Sequence, residues 1–126
     1  MTNRTVEIKT ARLTLRLKTP AEVLAWVESL DDMVRTEISL EWLERIRTLT
    51  ESDPWLCMFE IVRLADGIAV GSCGFKGPPD SGGMVEIAYG IDQEFRGNGY
   101  ATEAAVGLVT FARTCQSIAL VRAHEG

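Results

Sequence analysis

Glu94-Phe95-Arg96-Gly97-Asn98-Gly99-Tyr100-Ala101-Thr102-Glu103 is the stretch whose reading decides the fold. An apolar run, Val85 to Ile91, leads into it, and a helix-compatible run, Ala101 to Arg113, leads out. Gly97 and Gly99 let the backbone turn tightly and bring its N–H groups close to a ligand. The first turn of the following helix has free N–H donors and the positive end of the helix dipole. Together these form a cradle for a phosphate. Arg96 at its lip adds a planar cation suited to a phosphate fork. The stretch reads as the pyrophosphate loop of a nucleotide-bearing cofactor.

Three loop types share such a cradle. A P-loop needs Lys followed by Ser or Thr after its second glycine; Tyr100 and Ala101 stand there instead. A dinucleotide fingerprint wants glycines directly after the strand, a third small residue and an acid about 20 residues on. Gly97 and Gly99 fit it loosely, because Asp92 to Arg96 intervene, Thr102 holds the third position and little chain follows. The third type rests on a family resemblance, given below.

Outward from the loop, periodicity sets the organisation. Residues 84–91 form a strand, with Glu86, Ala88 and Gly90 on one face and Val85, Ile87, Tyr89 and Ile91 on the other. Residues 55–64 and 68–76 are strand-like, joined through the hairpin signal Ala65-Asp66-Gly67. Gly71 and Gly74 suggest a bulge or a close backbone approach. Gly77-Pro78-Pro79-Asp80-Ser81-Gly82-Gly83 is a loop. Near the start, residues 12–18 alternate strictly, Leu13, Leu15 and Leu17 against a basic face of Arg12, Thr14, Arg16 and Lys18 that reads as solvated. Thr19, Pro20 and Glu22 form a capping box for a helix with Val23, Trp26, Val27 and Leu30 on one face. A second helix runs from about Ser39, with Leu43, Ile46 and Leu49 in phase, and ends before Pro54. After the loop, Ala105, Leu108, Val109 and Ala112 give a helix, and Gly107 in its middle points to a tight contact. Residues 118–122 form a last strand, which a right-handed crossover sets parallel to 84–91.

Composition bounds the function. The chain of 126 residues, 46% hydrophobic and 25% charged, is read as one domain, 1–126. Its apolar runs fall far short of the roughly 18 residues of a membrane span, so no membrane partner is expected. Met1-Thr2-Asn3-Arg4 opens no cleavable signal. Cys57, Cys73 and Cys115 have no metal spacing and read as reduced core residues of a cytoplasmic protein. The net charge of −5 argues against nucleic acid and for a cationic substrate.

Arg96-Gly97-Asn98-Gly99-Tyr100-Ala101 matches the Gln/Arg-x-x-Gly-x-Gly/Ala signature, and the chain resembles the GNAT (GCN5-related N-acetyltransferase) superfamily. Val85 to Asp92, Ala101 to Ala104 and Thr10-Ala11-Arg12-Leu13-Thr14-Leu15-Arg16 resemble its RimJ/RimL-like branch, the last as that branch's first strand. The resemblance extends to about Ala123. It implies an α+β fold: a mostly antiparallel central sheet flanked by helices, with a parallel strand pair at the cofactor site. It implies acetyl-CoA as co-substrate, its pyrophosphate on Arg96 and the N–H groups of Gly97, Asn98, Gly99, Tyr100, Ala101 and Thr102. Where the parallel strands splay, backbone around Tyr89 to Ile91 is expected to bond pantetheine. Glu86 holds the strand position of the branch's usual general base; burial would raise its pKa toward a useful range. The region of the two early helices shapes the acceptor groove in such proteins, which gives Trp26, Trp42 and Trp55 a choice between groove lining and core packing.

The chain stops where the resembled proteins continue into a segment that often supplies the general acid. Tyr100 is a poor substitute, and His124 reads as a solvated or contact residue. An uncovered apolar strand at 118–122 would invite aggregation, so a homodimer that covers or exchanges it is expected. The expected activity is acetyl transfer to a primary amine, a protein N-terminus or a small amine, by direct attack. The alternative is a non-catalytic acyl-CoA-binding or structural remnant completed by dimerisation. Nothing in the sequence identifies the acceptor or the general acid.

Overall fold

A computed structural model describes residues 6–78, 80–115 and 120–125. Six strands form one sheet in sequence order: β1 (Glu7–Lys9), β2 (Leu13–Leu17), β3 (Phe59–Arg63), β4 (Ala69–Phe75), β5 (Met84–Ile91) and β6 (Leu120–Glu125). The helices are α1 (Pro20–Glu28), α2 (Asp32–Arg35), α3 (Leu40–Thr48) and α4 (Tyr100–Cys115). β1 to β5 pair antiparallel, and β6 lies parallel to β5, with Met84 opposite Leu120 and Tyr89 opposite Glu125. The architecture is α+β.

The alternating strands build the core because α4 covers one sheet face. It lies across β1, β2, β4 and β5. Leu15, Phe59, Ile61, Val85 and Ile87 are buried, together with Ala104, Leu108 and Ala112 of α4. Gly107 brings the helix close: a Cβ there would stand 3.2 Å from Leu15 Cδ1 and from Thr10 Cγ2. Trp55 packs on Phe75 at 4.7 Å between ring centroids and on Phe111 at 6.4 Å. It is therefore a packing residue of the aromatic cluster around Phe59.

α1 and α3 pack on each other. The capping box forms: Thr19 Oγ1 accepts from Glu22 N at 3.1 Å and Glu22 Oε1 from Thr19 N at 2.9 Å. Ser39 caps α3 by accepting from Trp42 N at 3.2 Å.

Several sequence expectations need correction. The stretch 10–16 is not the first strand, since β1 precedes it and Thr10 to Arg12 is the connection. Residues 55–58 precede β3 as turn and coil, where Cys57 N and Leu56 N bond back to Asp53 O. α2 was not foreseen, because four residues are too few to show a period. The last strand begins at Leu120 and runs to Glu125; residues 116–119 lie outside the described ones. The basic face at 12–18 is solvated only in part: Arg12 is exposed and Arg16 half-buried, but Lys18 and Thr14 are buried. Arg16 bridges Glu60 at 3.1 Å and Glu22 at 3.3 Å, while Lys18 Nζ sits 5.0 Å from the Trp26 ring centre. Burial pushes the Lys18 ammonium pKa down, only partly offset by Glu60 and Glu22.

Candidate functional site

The turn between β5 and α4 takes the shape its glycines allow. Gly97 has φ +86° and Gly99 φ +80°, a region where side-chain-bearing residues are strained. Gly99 O accepts the first amide bond of α4, from Glu103 N at 3.1 Å. The preceding amides at 97–102 have no hydrogen-bond acceptor among the described residues. Six consecutive donors thus lack a carbonyl partner among the described residues at the start of a 16-residue helix.

These groups border a cavity of about 410 Å³, lined by Tyr89, Gly90, Ile91, Phe95, Arg96, Gly97, Gly99, Tyr100, Ala101 and Thr102. That volume is within the usual range of small-molecule sites. Of the residues proposed from sequence for the cofactor, only Asn98 is absent from the lining; its Nδ2 donates to Phe95 O at 2.9 Å and buttresses the turn. Arg96 is not a free fork, since its Nε donates to Ile91 O at 2.9 Å, tying the loop to the end of β5. Its Nη groups have no hydrogen-bond partner among the described residues. The open strand edge is shorter than expected. β6 stays in register with β5 through Tyr89, so the uncovered edge of β5 starts at Gly90.

A second cavity, about 460 Å³, lies over the other sheet face beneath α1 and α3. Trp26, Trp42, Leu56, Met58 and Phe75 give it apolar walls, Gly74 and Ala88 form its floor, and Glu41, Arg45 and Lys76 stand at it. Trp42 is fixed by donating Nε1–H to Leu56 O at 2.9 Å. Trp26 and Trp42 therefore line the groove, and Trp55 does not.

Glu86 is half-buried, on the face opposite the buried Val85 and Ile87. That face also carries Ala88, which lines the groove, and Gly90, which lines the first cavity. The Glu86 carbonyl accepts from Lys76 N at 2.9 Å, but Glu86 belongs to the lining of neither cavity. The structure thus gathers the loop residues around one cavity and leaves Glu86 outside both linings.

Sequence reasoning missed Phe95 in the cavity wall, and the polar supports behind the loop. Arg63 stacks 5.1 Å from the Phe95 ring centre and is held by Asp66 at 2.5 Å. Asp66 first, then the Tyr100 hydroxyl, raise the Arg63 guanidinium pKa further. Glu103 of the first helical turn binds Thr10 and Arg12. Those partners stand 91 and more residues away, so no local spacing links them. The buried thiols of Cys57 and Cys73 are free; burial raises both, Cys73 to about 12, which leaves them unreactive.

Residues 4–124 match the family model described as acetyltransferase (GNAT) domain. The chain belongs to the GNAT family. It is 34% identical over 72 residues to YjdG of Bacillus subtilis (strain 168), described as an uncharacterized N-acetyltransferase; the match spans 57% of this chain and 40% of that protein. The chain thus covers less than half the length of that curated relative. Among solved structures, the ribosomal-protein-S5-alanine acetyltransferase of Vibrio fischeri superposes with a TM-score of 0.63 at 14% identity, over 94% of this chain and 73% of that one. RimL, the ribosomal L7/L12 alpha-N-protein acetyltransferase, in complex with coenzyme A, gives 0.60 at 17% identity, over 90% and 71%. Such low identities speak for a shared GNAT fold. Among the described residues no helix is long and apolar enough to cross a membrane, and no three metal-binding side chains cluster.

Proposed function

We propose that this GNAT-family chain, 1–126, is one acetyltransferase domain that carries acetyl from acetyl-CoA to a primary amine by direct attack. The observation that carries the reading is the run of acceptor-free amides at 97–102 on the rim of a cavity. A pyrophosphate needs oriented donors and a positive dipole end, and a run of acceptor-free amides at a helix start suits both needs. Gly97, Gly99, Tyr100, Ala101 and Thr102 would hold it through backbone, with the Arg96 Nη groups adding charge and Asn98 supporting the turn. Backbone at Gly90 and Ile91, beside Tyr89, would meet the pantetheine arm. Acetyl-CoA supplies an activated thioester when bound.

The remaining chemistry is the acceptor's. An amine is protonated at neutral pH and must lose a proton before it attacks. Glu86 shares its sheet face with Ala88 in the groove and Gly90 in the cavity, which suits it to take that proton, directly or through water. The groove with Trp26 and Trp42 would seat the acceptor, a protein N-terminus or a small amine. β6 is an edge strand of the sheet, and a second copy pairing there would give the homodimer. Two buried free thiols fit a reducing compartment such as the cytoplasm.

A non-catalytic acyl-CoA-binding role is the second reading, favoured by the position of Glu86 outside both linings. Calorimetry with acetyl-CoA combined with thiol release in the presence of amines separates the two. Binding with amine-dependent thiol release is the expected result. Binding without release selects the second reading, and no binding removes both. Light scattering across concentrations checks the dimer.

A further inference from the structure

Glu103 poses an electrostatic problem for any anion at the α4 terminus. A carboxylate in the first helical turn is ordinarily stabilised by the helix dipole, and there it competes with an incoming phosphate for the same positive field. In this chain the carboxylate is turned away from the cavity and consumed. Its Oε2 accepts from Thr10 Oγ1 at 2.5 Å and from Arg12 N at 2.7 Å, and its Oε1 from Arg12 Nε at 2.7 Å. Arg12 then leans over the loop, its guanidinium carbon 4.7 Å from the Tyr100 ring centre. A Cβ on Gly99 would stand 3.4 Å from Arg12 Nη2.

We infer that Arg12 is a positioning residue that cancels the Glu103 charge behind the loop, so that the amides at 97–102 face an anion with no carboxylate contesting it. This deepens the cofactor reading proposed above and rests on it. Charge, rather than rigidity, is the agent. The pair is half-exposed on the Arg12 side, and such ion pairs contribute little to stability. Near a dianion, by contrast, an uncancelled carboxylate in the first helical turn repels the ligand through a screened but still appreciable Coulomb interaction. The electrostatics of Glu103 agree with its being held ionised: burial works against the charge, but the bonds from Thr10 and from Arg12 backbone and side chain together outweigh it and lower the pKa. Arg12 itself is outside the cavity lining, which separates this role from direct contact.

The test is calorimetry of coenzyme A on the full chain and on Arg12→Met, Glu103→Gln and the double variant, with no turnover needed. Arg12→Met is expected to weaken binding about tenfold, from one exposed unpaired charge near the pyrophosphate. Glu103→Gln alone is expected to stay within about threefold of the parent, because the amide keeps part of the hydrogen bonding without the charge. The double variant is expected to recover most of the affinity, since the offending charge is gone. The Arg12→Met loss should also shrink in half-molar salt. A double variant as weak as Arg12→Met overturns the inference and makes Arg12 a structural brace. An Arg12→Met loss that vanishes with dephospho-coenzyme A overturns it too, by making Arg12 a ligand of the 3′-phosphate. Unchanged binding in Arg12→Met likewise overturns it. If the parent chain binds no coenzyme A, the cofactor reading falls and this inference with it.

Discussion

The turn entering α4 and the groove beneath α1 and α3 are built by opposite means. The turn offers backbone: two glycines at positive φ and acceptor-free amides, with Asn98 bonded to Phe95 O, Arg12 over the Tyr100 ring and Arg63 over the Phe95 ring. The groove offers side chains: two indoles, Met58 and Leu56 over a floor of Gly74 and Ala88. Backbone recognition tolerates almost any side chain so long as the conformation survives, and it suits a ligand that never changes. Side-chain walls are rewritten by single substitutions, and suit a ligand that differs between relatives. Under the proposed function, that difference fits a constant cofactor at the turn and a variable acceptor in the groove.

The largest effect that would break this comparison is expected at Gly99. Gly99→Glu puts a side chain at φ +80° and a negative charge on the cradle, and coenzyme A affinity should fall at least about a hundredfold by calorimetry. Unchanged affinity would mean that the ligand sits elsewhere. Glu86→Gln comes next: acetyl transfer should drop about a hundredfold while cofactor affinity holds. Equal losses in both would make Glu86 structural. Trp26→Leu keeps apolar bulk but removes the indole from the groove wall, so the acceptor KM should rise about tenfold with coenzyme A binding unmoved. A shift in cofactor affinity instead would merge the two regions. The smallest effect belongs to Thr19→Ala, which removes the cap of α1 and should cost about 1 kcal/mol in thermal or urea unfolding. It should alter neither ligand, and changed kinetics would show that α1 transmits to the groove.

The same contrast explains what the sequence disclosed. The turn was legible because Gly97 and Gly99 report a backbone conformation that few other residues adopt, and their flanks show a strand before and a helix after. The capping box at Thr19 and Glu22 was legible for a similar reason: the chemistry is complete within four residues. The α4 contact at Gly107 followed from the absence of a side chain on a helix interior. Where meaning lies in pairing across the fold, the linear pattern was silent. Glu103 with Arg12, and Phe95 under Arg63, are juxtaposed only once the sheet forms. Alternation in β2 marked Lys18 as outward, and it is, but α1 covers that face and carries Trp26 over it. A period cannot say which faces acquire a second layer. The three tryptophans show the limit well: all are large and apolar in sequence, yet Trp26 and Trp42 wall a groove while Trp55 stacks on Phe75.

Under the proposed function, the amides at 97–102 are the groups that would hold the cofactor's pyrophosphate. A ¹H–¹⁵N titration of the labelled chain with coenzyme A tests it most directly. The amide resonances of Gly97 through Thr102 are expected to move the most and in step, in the direction of stronger hydrogen bonding, while those of α3 stay in place. Saturating coenzyme A with these six resonances unmoved would contradict it.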